Sequence, residues 1–255
     1  PETYVPVIDS YFPGVRKIIF NQNSSYTFGL NPTPSTVNPI HIKDLYFHPD
    51  VSHVLCVSEY DYSFLSTCLG LPEESLTLVC NSVDFDDVNP NSQKTPRVCF
   101  MPRKNGLHAS VVVKLLESMD FSLPWVFTPL SNLSHADVLK YMSISSAFLS
   151  FGHPEGFGLP VAEALASGCY VIGYTGLAGR EFLNLDSCAA VFSSVEYGDI
   201  SSFIEAFRSF DLMFSSNPQS LLRELSIASV AIRTKYNFLN MIRSVDSLPA
   251  KLASD

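Results

Sequence analysis

Short apolar runs alternate with helix-like segments from His53 onward, and this alternation constrains the fold more than any other feature of the sequence. The run at 97–102, RVCFMP, is apolar from its second residue on, as a central strand of a parallel sheet should be. Parallel strands need crossover connections, which place helices on both faces of the sheet. The sequence therefore predicts an α/β fold with a doubly wound parallel sheet. Further strands are predicted at 17–20, 53–58, 76–80, 124–130, 147–150, 169–173 and 189–193.

Composition limits the classes of function. The chain has 255 residues, of which 46% are hydrophobic, so it can form one large or two unequal domains. Its net charge of −9 argues against a protein that coats nucleic acid, because such proteins present clustered Lys and Arg. The six cysteines form no CxxC pair and read as reduced thiols, which favours a cytoplasmic location. The first residue is Pro, so we expect that an upstream segment, including one that associates with a membrane, could have been removed.

The stretch 151–181, FGHPEGFGLPVAEALASGCYVIGYTGLAGRE, combines two carboxylates with a predicted helix start. Seven residues separate Glu155 from Glu163, and Pro160 stands where the first helical residue is favoured. We predict a helix over 160–167 that ends at Gly168. Its first-turn N–H groups and its dipole would favour a bound anion such as a diphosphate. The alternative is that Glu163 caps its own helix and the glycines only turn the chain.

The same stretch resembles the donor-site signature of the retaining GT-B glycosyltransferases, which take sugars from nucleotide diphosphates. In that family two glutamates separated by seven residues form the defining pair, and Glu155 and Glu163 keep this spacing. The resemblance implies a Rossmann-like donor domain. It also implies that Glu155 is the catalytic residue that lies against the donor sugar, and that Glu163 binds the ribose.

Arg103 and Lys104 follow the predicted strand at 97–102, at the end of the strand where open α/β sheets bind ligands. The segment FMPRKNGLHASVVVKLLES resembles the strand, basic pair and helix of the same family, in which the basic pair neutralises the donor diphosphate. The alternative is a solvated surface pair. His153 and Glu181 are further candidates, although Glu181 fits a helix cap better. The resemblance implies that the donor also contacts Gly156, Phe157, Gly158, Leu159 and Gly179.

The segment RKIIFNQNSSYTF, at 16–28, resembles the end of the acceptor-side domain of that family. We therefore predict a partial acceptor-side segment and linker at 1–50, a nucleotide-sugar-binding domain at 51–245 and a tail at 246–255. A complete enzyme of the family carries a whole acceptor domain before this point, and the first 50 residues have room for only a small part of one.

The predicted function is the transfer of a sugar from a nucleotide diphosphate to a sugar, lipid or protein acceptor, with retention of configuration. No metal or other cofactor is expected. Asp84, Asp86 and Asp87 fit a turn better than a metal site, because Asp is favoured in turns for its own backbone bonding. Two alternatives stay open: a nucleotide-sugar-binding module that needs a partner or a missing domain, and a doubly wound domain for another phosphate ligand.

Overall fold

The computed structural model describes residues 12–27, 46–83, 92–246 and 248. The described residues belong to two compact units. The smaller unit takes its residues from 1–82, 154–157 and 236–255, and the larger from 83–153 and 158–235.

The smaller unit contains a parallel three-stranded sheet. Strands β1 (Lys17–Asn21), β2 (Val51–Cys56) and β3 (Leu76–Leu78) lie in the order β1-β2-β3. Helices α1 (Ser24–Thr27) and α2 (Glu59–Ser63) follow the first two strands, and α2 continues as a π-helical turn, Phe64–Cys68. The core of this unit consists of Ile19, Tyr46, Val54, Cys56, Leu65, Leu71 and Leu76.

The described part of the larger unit contains the strands β4 (Thr95–Phe100), β5 (Val126–Pro129), β6 (Ser145–Ser150), β7 (Tyr170–Gly173) and β8 (Phe192–Ser194). These five strands form a parallel sheet in the order β5-β4-β6-β7-β8. The central strand β6 is buried along its whole length, which explains its continuous run of small and apolar residues.

The described helices of this unit are α3 (Gly106–Glu117), α4 (His135–Ile144), α5 (Leu159–Ala166), α6 (Arg180–Leu183), α7 (Asp186–Ala189), α8 (Ile200–Ser216) and α9 (Pro218–Lys235). Helix α3 packs on α8, and α5 packs on α4 and α9. Helix α8 buries Phe203, Phe207 and Phe210 at helical spacing, as a core-facing stripe should. Helix α10 (Phe238–Val245) belongs to the smaller unit.

The observed units differ from the predicted domains. We predicted a boundary between residues 50 and 51, but β2 and β3 pair with β1, so the smaller unit extends to residue 82. The reason is that strand and helix alternate on both sides of residue 83, and this rhythm does not reveal which strands share a sheet. The interpretation of 1–50 as an acceptor-side segment stays a prediction. Asp84, Asp86, Asp87 and most of the predicted tail at 246–255 lie outside the described residues.

Candidate functional site

The strand order of the larger unit defines one crevice at its carboxyl edge. From β4 the chain passes to β5 on one side, and then returns to β6 on the other side of β4. The connections therefore diverge between β4 and β6, and such a switch point is where open α/β sheets bind ligands. Within the larger unit, the segments that leave this edge are 101–105 after β4 and 151–153 after β6, and residue 158 directly precedes α5. They carry four of the predicted site residues: Arg103, Lys104, His153 and Gly158.

Arg103 and Lys104 lie in the segment that follows β4, as predicted. Arg103 is exposed and Lys104 is half-buried. Both stand between the last residue of β4, Phe100, and the start of α3 at Gly106. The structure therefore places two cationic side chains at the switch point.

The two helices that begin beside the switch point lack a side-chain cap. Helix α3 follows Asn105, which has a φ of 53°, and α5 follows Gly158, which has a φ of 94°. Neither of these N-cap residues makes a capping hydrogen bond through a side chain. Because first-turn N–H groups have no partner within their own helix, both helix starts favour an anion.

Cationic side chains contact the opposite end of α5. The Lys94 ammonium donates to the carbonyl oxygens of Ser167, at 2.7 Å, and Met142, at 3.2 Å. The Arg233 guanidinium donates to the carbonyl oxygen of Ala166 at 3.0 and 3.1 Å. Burial lowers the pKa of Lys94 from its ordinary value. The bonds to Ala166 and Ser167 satisfy the carboxyl end of α5, where positive charge is favoured, whereas Met142 lies on α4. The amino end of α5 is the end that borders the switch point.

Glu163 lies on α5 and is 8% exposed. Its Oε1 lies 2.9 Å from Nε2 of His135, the first residue of α4. Burial raises the pKa of the Glu163 carboxyl, and the hydrogen bond and charge of His135 oppose that rise. A buried carboxylate held by one partner is suited to accept hydrogen bonds from hydroxyl groups, which is the role that the resemblance implies.

Asn105 connects the two segments that leave the switch point. Its Nδ2 donates to the carbonyl oxygens of Phe151, at 2.7 Å, and His153, at 3.1 Å. Its Oδ1 accepts a hydrogen bond from the hydroxyl of Tyr197 at 3.2 Å. The ring of Tyr197 also stacks on the ring of His153, with centroids 4.3 Å apart.

Glu155 lies on the segment 154–157, which belongs to the smaller unit. The carbonyl oxygen of Pro154 accepts a hydrogen bond from Asn23 Nδ2 at 3.4 Å. A Cβ atom at Gly156 would lie 1.6 Å from the carbonyl oxygen of Gln22, so no larger residue fits there without movement. The segment that carries Glu155 is thus held by residues that follow β1.

Phe157 is 5% exposed, and its ring packs edge-on against Tyr236 with centroids 5.1 Å apart. The resemblance implied a donor contact from Phe157, and this burial leaves only its backbone for such a contact. Leu159 is 47% exposed at the start of α5.

Gly179 precedes α6, and a Cβ atom there would lie 2.4 Å from the carbonyl oxygen of Thr175. The atom that leaves no room for a Cβ at Gly179 is therefore the Thr175 carbonyl oxygen, which belongs to the same turn. Glu181 is buried in the first turn of α6, a position that suits the expected role of an acidic helix-start residue.

The described residues contain no group of three or more His, Cys, Asp or Glu side chains that could hold a metal ion. Within the same residues, no helix is both long enough and apolar enough to cross a membrane. The cysteines are free thiols; Cys56, Cys99, Cys169 and Cys188 are buried, Cys80 is partly buried and Cys68 is exposed.

Sequence reasoning missed His135, Asn105 and Tyr197. His135 follows Ser134, the N-cap residue of α4, but no local pattern connects it to Glu163, which lies 28 positions further along the chain. Asn105 offered a local signal, because asparagine between a basic pair and a glycine favours a left-handed turn.

No protein-family model matches the chain. One segment of 50 residues, 20% of the chain, is 44% identical to an alpha-1,6-glucosyltransferase from Actinobacillus pleuropneumoniae serotype 7 (strain AP76). This match spans only 15% of that enzyme.

Several solved structures resemble the chain more extensively. A glycosyltransferase from Rickettsia africae ESF-5 has a TM-score of 0.64 and 14% identity, over 99% of this chain and 80% of that one. WaaG, a glycosyltransferase involved in lipopolysaccharide biosynthesis, has a TM-score of 0.56 and 12% identity, over 94% of this chain and 75% of that one. A mutant of TarM from S. aureus, in complex with UDP, alpha-GlcNAc-glycerol and fondaparinux, has a TM-score of 0.59 and 14% identity. The match covers 76% of this chain and 43% of that one.

These structural neighbours are GT-B glycosyltransferases, with Rossmann-like domains. At such low identities the likeness establishes the fold. The predicted α/β fold with a doubly wound, Rossmann-like parallel sheet is therefore confirmed.

Proposed function

We propose that the chain is a glycosyltransferase that transfers a sugar from a nucleotide diphosphate to an acceptor. The observation that carries this proposal is the switch point itself, where Arg103, Lys104 and two uncapped helix starts lie on one edge of the sheet. All of these groups favour an anion, and a diphosphate has the charge to bind several of them together. The GT-B fold of the neighbours and the partial match to a glucosyltransferase support the same class of reaction.

The proposed mechanism uses these groups to stabilise the leaving nucleoside diphosphate. As the bond to the sugar breaks, negative charge accumulates on the diphosphate, and cationic and N–H groups that are already in place stabilise it without reorganisation. We assign this role to Arg103, Lys104 and the start of α5 at Gly158 and Leu159. The groups lower the barrier to the extent that they bind the transition state more strongly than the substrate.

We assign Glu163 to the ribose, because its carboxyl is buried and fixed by His135. The assignment of Glu155 to the donor sugar rests on the spacing of the two glutamates and on the resemblance. We infer retention of configuration, by attack of the acceptor on the face that the diphosphate leaves, from the same resemblance. The proposed reaction needs no metal, since Arg103, Lys104 and the helix starts supply the countercharge.

UDP is the first nucleotide to test, because the TarM complex contains UDP. A hexose is the first sugar to test, because the sequence relative is an alpha-1,6-glucosyltransferase. The acceptor is proposed only as a class: a sugar, a lipid or a protein.

Thermal unfolding in the presence of UDP, GDP, ADP and dTDP, with EDTA or with magnesium, tests the proposed donor site. Ligand at 100 times its dissociation constant stabilises a protein by about 2.7 kcal/mol, and a chain of this size gains about 2–4 °C per kcal/mol. We expect one nucleotide to raise the melting temperature in EDTA, and Glu163→Ala to abolish the shift. No shift with any nucleotide would contradict the proposal. A shift without sugar transfer from the matching nucleotide sugar would favour a binding module instead.

A further inference from the structure

Asn105 has a left-handed backbone conformation, with a φ of 53°. Asparagine is one of the few residues other than glycine that adopt this conformation readily, so it suits a sharp change of chain direction. Asn105 immediately follows Arg103 and Lys104 and precedes the first residue of α3, so its backbone conformation sets the direction in which the chain passes from the basic pair into the helix.

The side chain of Asn105 does not do what asparagine usually does at the start of a helix. An N-cap asparagine normally accepts a hydrogen bond from the first turn, but here no such bond exists, and both ends of the amide point elsewhere. Its two donated bonds, to Phe151 and His153, reach the segment that leaves β6, and its oxygen accepts from Tyr197. The residue thus exchanges a local stabilising role for contacts that join three segments of the chain.

Both consequences of this exchange bear on anion binding. The first turn of α3 keeps its N–H groups open, because no side chain of its own caps them. The two segments that border the switch point are held at a fixed separation, because the Nδ2 bonds to Phe151 and His153 are 2.7 and 3.1 Å long. Preorganised donors bind an anion more tightly than mobile ones, because less conformational entropy is lost on binding.

We propose that Asn105 is a positioning residue that sets the affinity of the switch point for a nucleoside diphosphate. It acts through Arg103, Lys104 and the open start of α3 rather than by contact with the ligand. This inference rests on the proposed function, because it assumes that a nucleotide diphosphate is the ligand. Tyr197 supports Asn105 through its hydroxyl and through the stack on His153.

The test compares Asn105→Gly with the same substitution at Asn217. Glycine tolerates a positive φ, so Asn105→Gly removes the side chain and its three hydrogen bonds without adding backbone strain or charge. Asn217 also precedes a helix of the larger unit, where its Oδ1 accepts from Ser220 N at 3.2 Å, but that helix is α9. The two variants share the change in composition and in unfolded-state entropy.

Calorimetric titration with UDP, at a temperature where all variants are folded, should give a dissociation constant at least about tenfold higher for Asn105→Gly, a change of about 1.4 kcal/mol. The value for Asn217→Gly should lie within twofold of the wild type. Tyr197→Phe removes one of the three bonds and leaves the ring, so it should give an intermediate value. Tyr197→Phe also tests the positioning role if Asn105→Gly does not fold.

A dissociation constant within twofold of the wild type for both Asn105→Gly and Tyr197→Phe, with a lower melting temperature, would show that Asn105 is structural only and would overturn the positioning role. Equal losses for Asn105→Gly and Asn217→Gly would overturn it as well. If the wild type binds none of UDP, GDP, ADP and dTDP, the proposed function fails, and the positioning role fails with it. The wild-type titration therefore separates the two failures.

Discussion

In the part of the larger unit that the structure describes, four helices of eight residues or more follow directly on strands, and they begin in two different ways. Helices α3 and α5, beside the switch point, begin after residues in the left-handed conformation and have no side-chain cap. Helices α4 and α8, which follow the outer strands β5 and β8, are capped by Ser134 and Asp199. Ser134 Oγ accepts from Asp137 N at 3.1 Å, and Asp199 Oδ1 accepts from Ser202 N at 3.0 Å.

The difference shows which helices have first-turn N–H groups that a side chain caps, and which have first-turn N–H groups without such a cap. A side-chain cap stabilises a helix by about 1 kcal/mol relative to alanine and by about a few tenths relative to glycine. The missing caps at Asn105 and Gly158 therefore represent lost stability, more at Asn105 than at Gly158. A bound anion can supply the missing partners. The outer helices contribute stability, and the inner helices, together with Arg103 and Lys104, form the anion site of the proposed function.

Removal of the basic pair should have the largest effect on ligand binding. Hydrogen bonds to charged groups contribute about 1.5–3 kcal/mol each, so the double variant Arg103→Ala, Lys104→Ala should raise the dissociation constant for UDP by about 100-fold or more. The melting temperature of the double variant, measured in parallel, separates a loss of affinity from a loss of folding.

Lys140→Ala is the matched control for that experiment, because Lys140 is an exposed lysine on the capped helix α4. It should leave the affinity for UDP unchanged. A double variant that binds UDP within threefold of the wild type would remove the basic pair from the proposed site.

The carboxyl end of α5, which Lys94 and Arg233 contact, should contribute to the stability of the fold rather than to the affinity for UDP. Lys94→Met leaves the carbonyl oxygen of Ser167 without its cationic donor, whereas the carbonyl oxygen of Met142 still accepts from the Ser145 N–H. An unpaired buried polar group costs about 1–3 kcal/mol. We expect a lower midpoint in urea unfolding and a much smaller change in the affinity for UDP. Lys114→Met, at an exposed position in the last turn of α3, should change neither quantity. A full loss of UDP binding in a folded Lys94→Met protein would contradict this separation.

Removal of the cap of an outer helix should lower the melting temperature and leave the affinity for UDP unchanged. Asn105→Gly should instead weaken the affinity for UDP. Asp199→Ala removes an acceptor for Ser202 N, so the melting temperature should fall while the dissociation constant for UDP stays within twofold. The bonds from Ser202 lower the pKa of Asp199, so its stabilising contribution is present above the ordinary aspartate pKa and is lost as the pH falls through the lowered value. The difference in melting temperature between wild type and variant should shrink over that acidic range. A weakened affinity for UDP at neutral pH would show that the outer caps also shape the site.

The smallest expected effect is a shift in the pH dependence of binding. If Glu163 accepts hydrogen bonds from the ribose as a carboxylate, affinity for UDP should fall as the pH falls through its pKa, which burial raises above the ordinary value. His135 opposes that rise, so His135→Ala should raise the pKa of Glu163 further and move the loss of affinity to higher pH. Titrations between pH 5 and 8 measure the shift, and a shift to lower pH would contradict the assigned pairing.

The sequence predicted the alternation of strands and helices, the position of the basic pair and the helix at 160–167, because each depends on residues that are close in the chain. The observed helix, Leu159–Ala166, begins and ends one residue earlier than predicted. It did not predict that β2 pairs with β1, or that His135 meets Glu163, because these contacts depend on which strands become neighbours. The unused cap at Asn105 also required the structure, since an asparagine before a helix usually caps it. The roles of Glu155 and Glu163 stay predictions.

Calorimetric titration of the wild-type protein with UDP, UMP and uridine, in the same buffer, tests most directly whether the switch point binds a diphosphate. The account predicts that UDP binds at least about tenfold more tightly than uridine, that UMP lies between them, and that the double variant Arg103→Ala, Lys104→Ala removes most of this difference. Equal binding of UDP and uridine, or a difference that survives in the double variant, would contradict it.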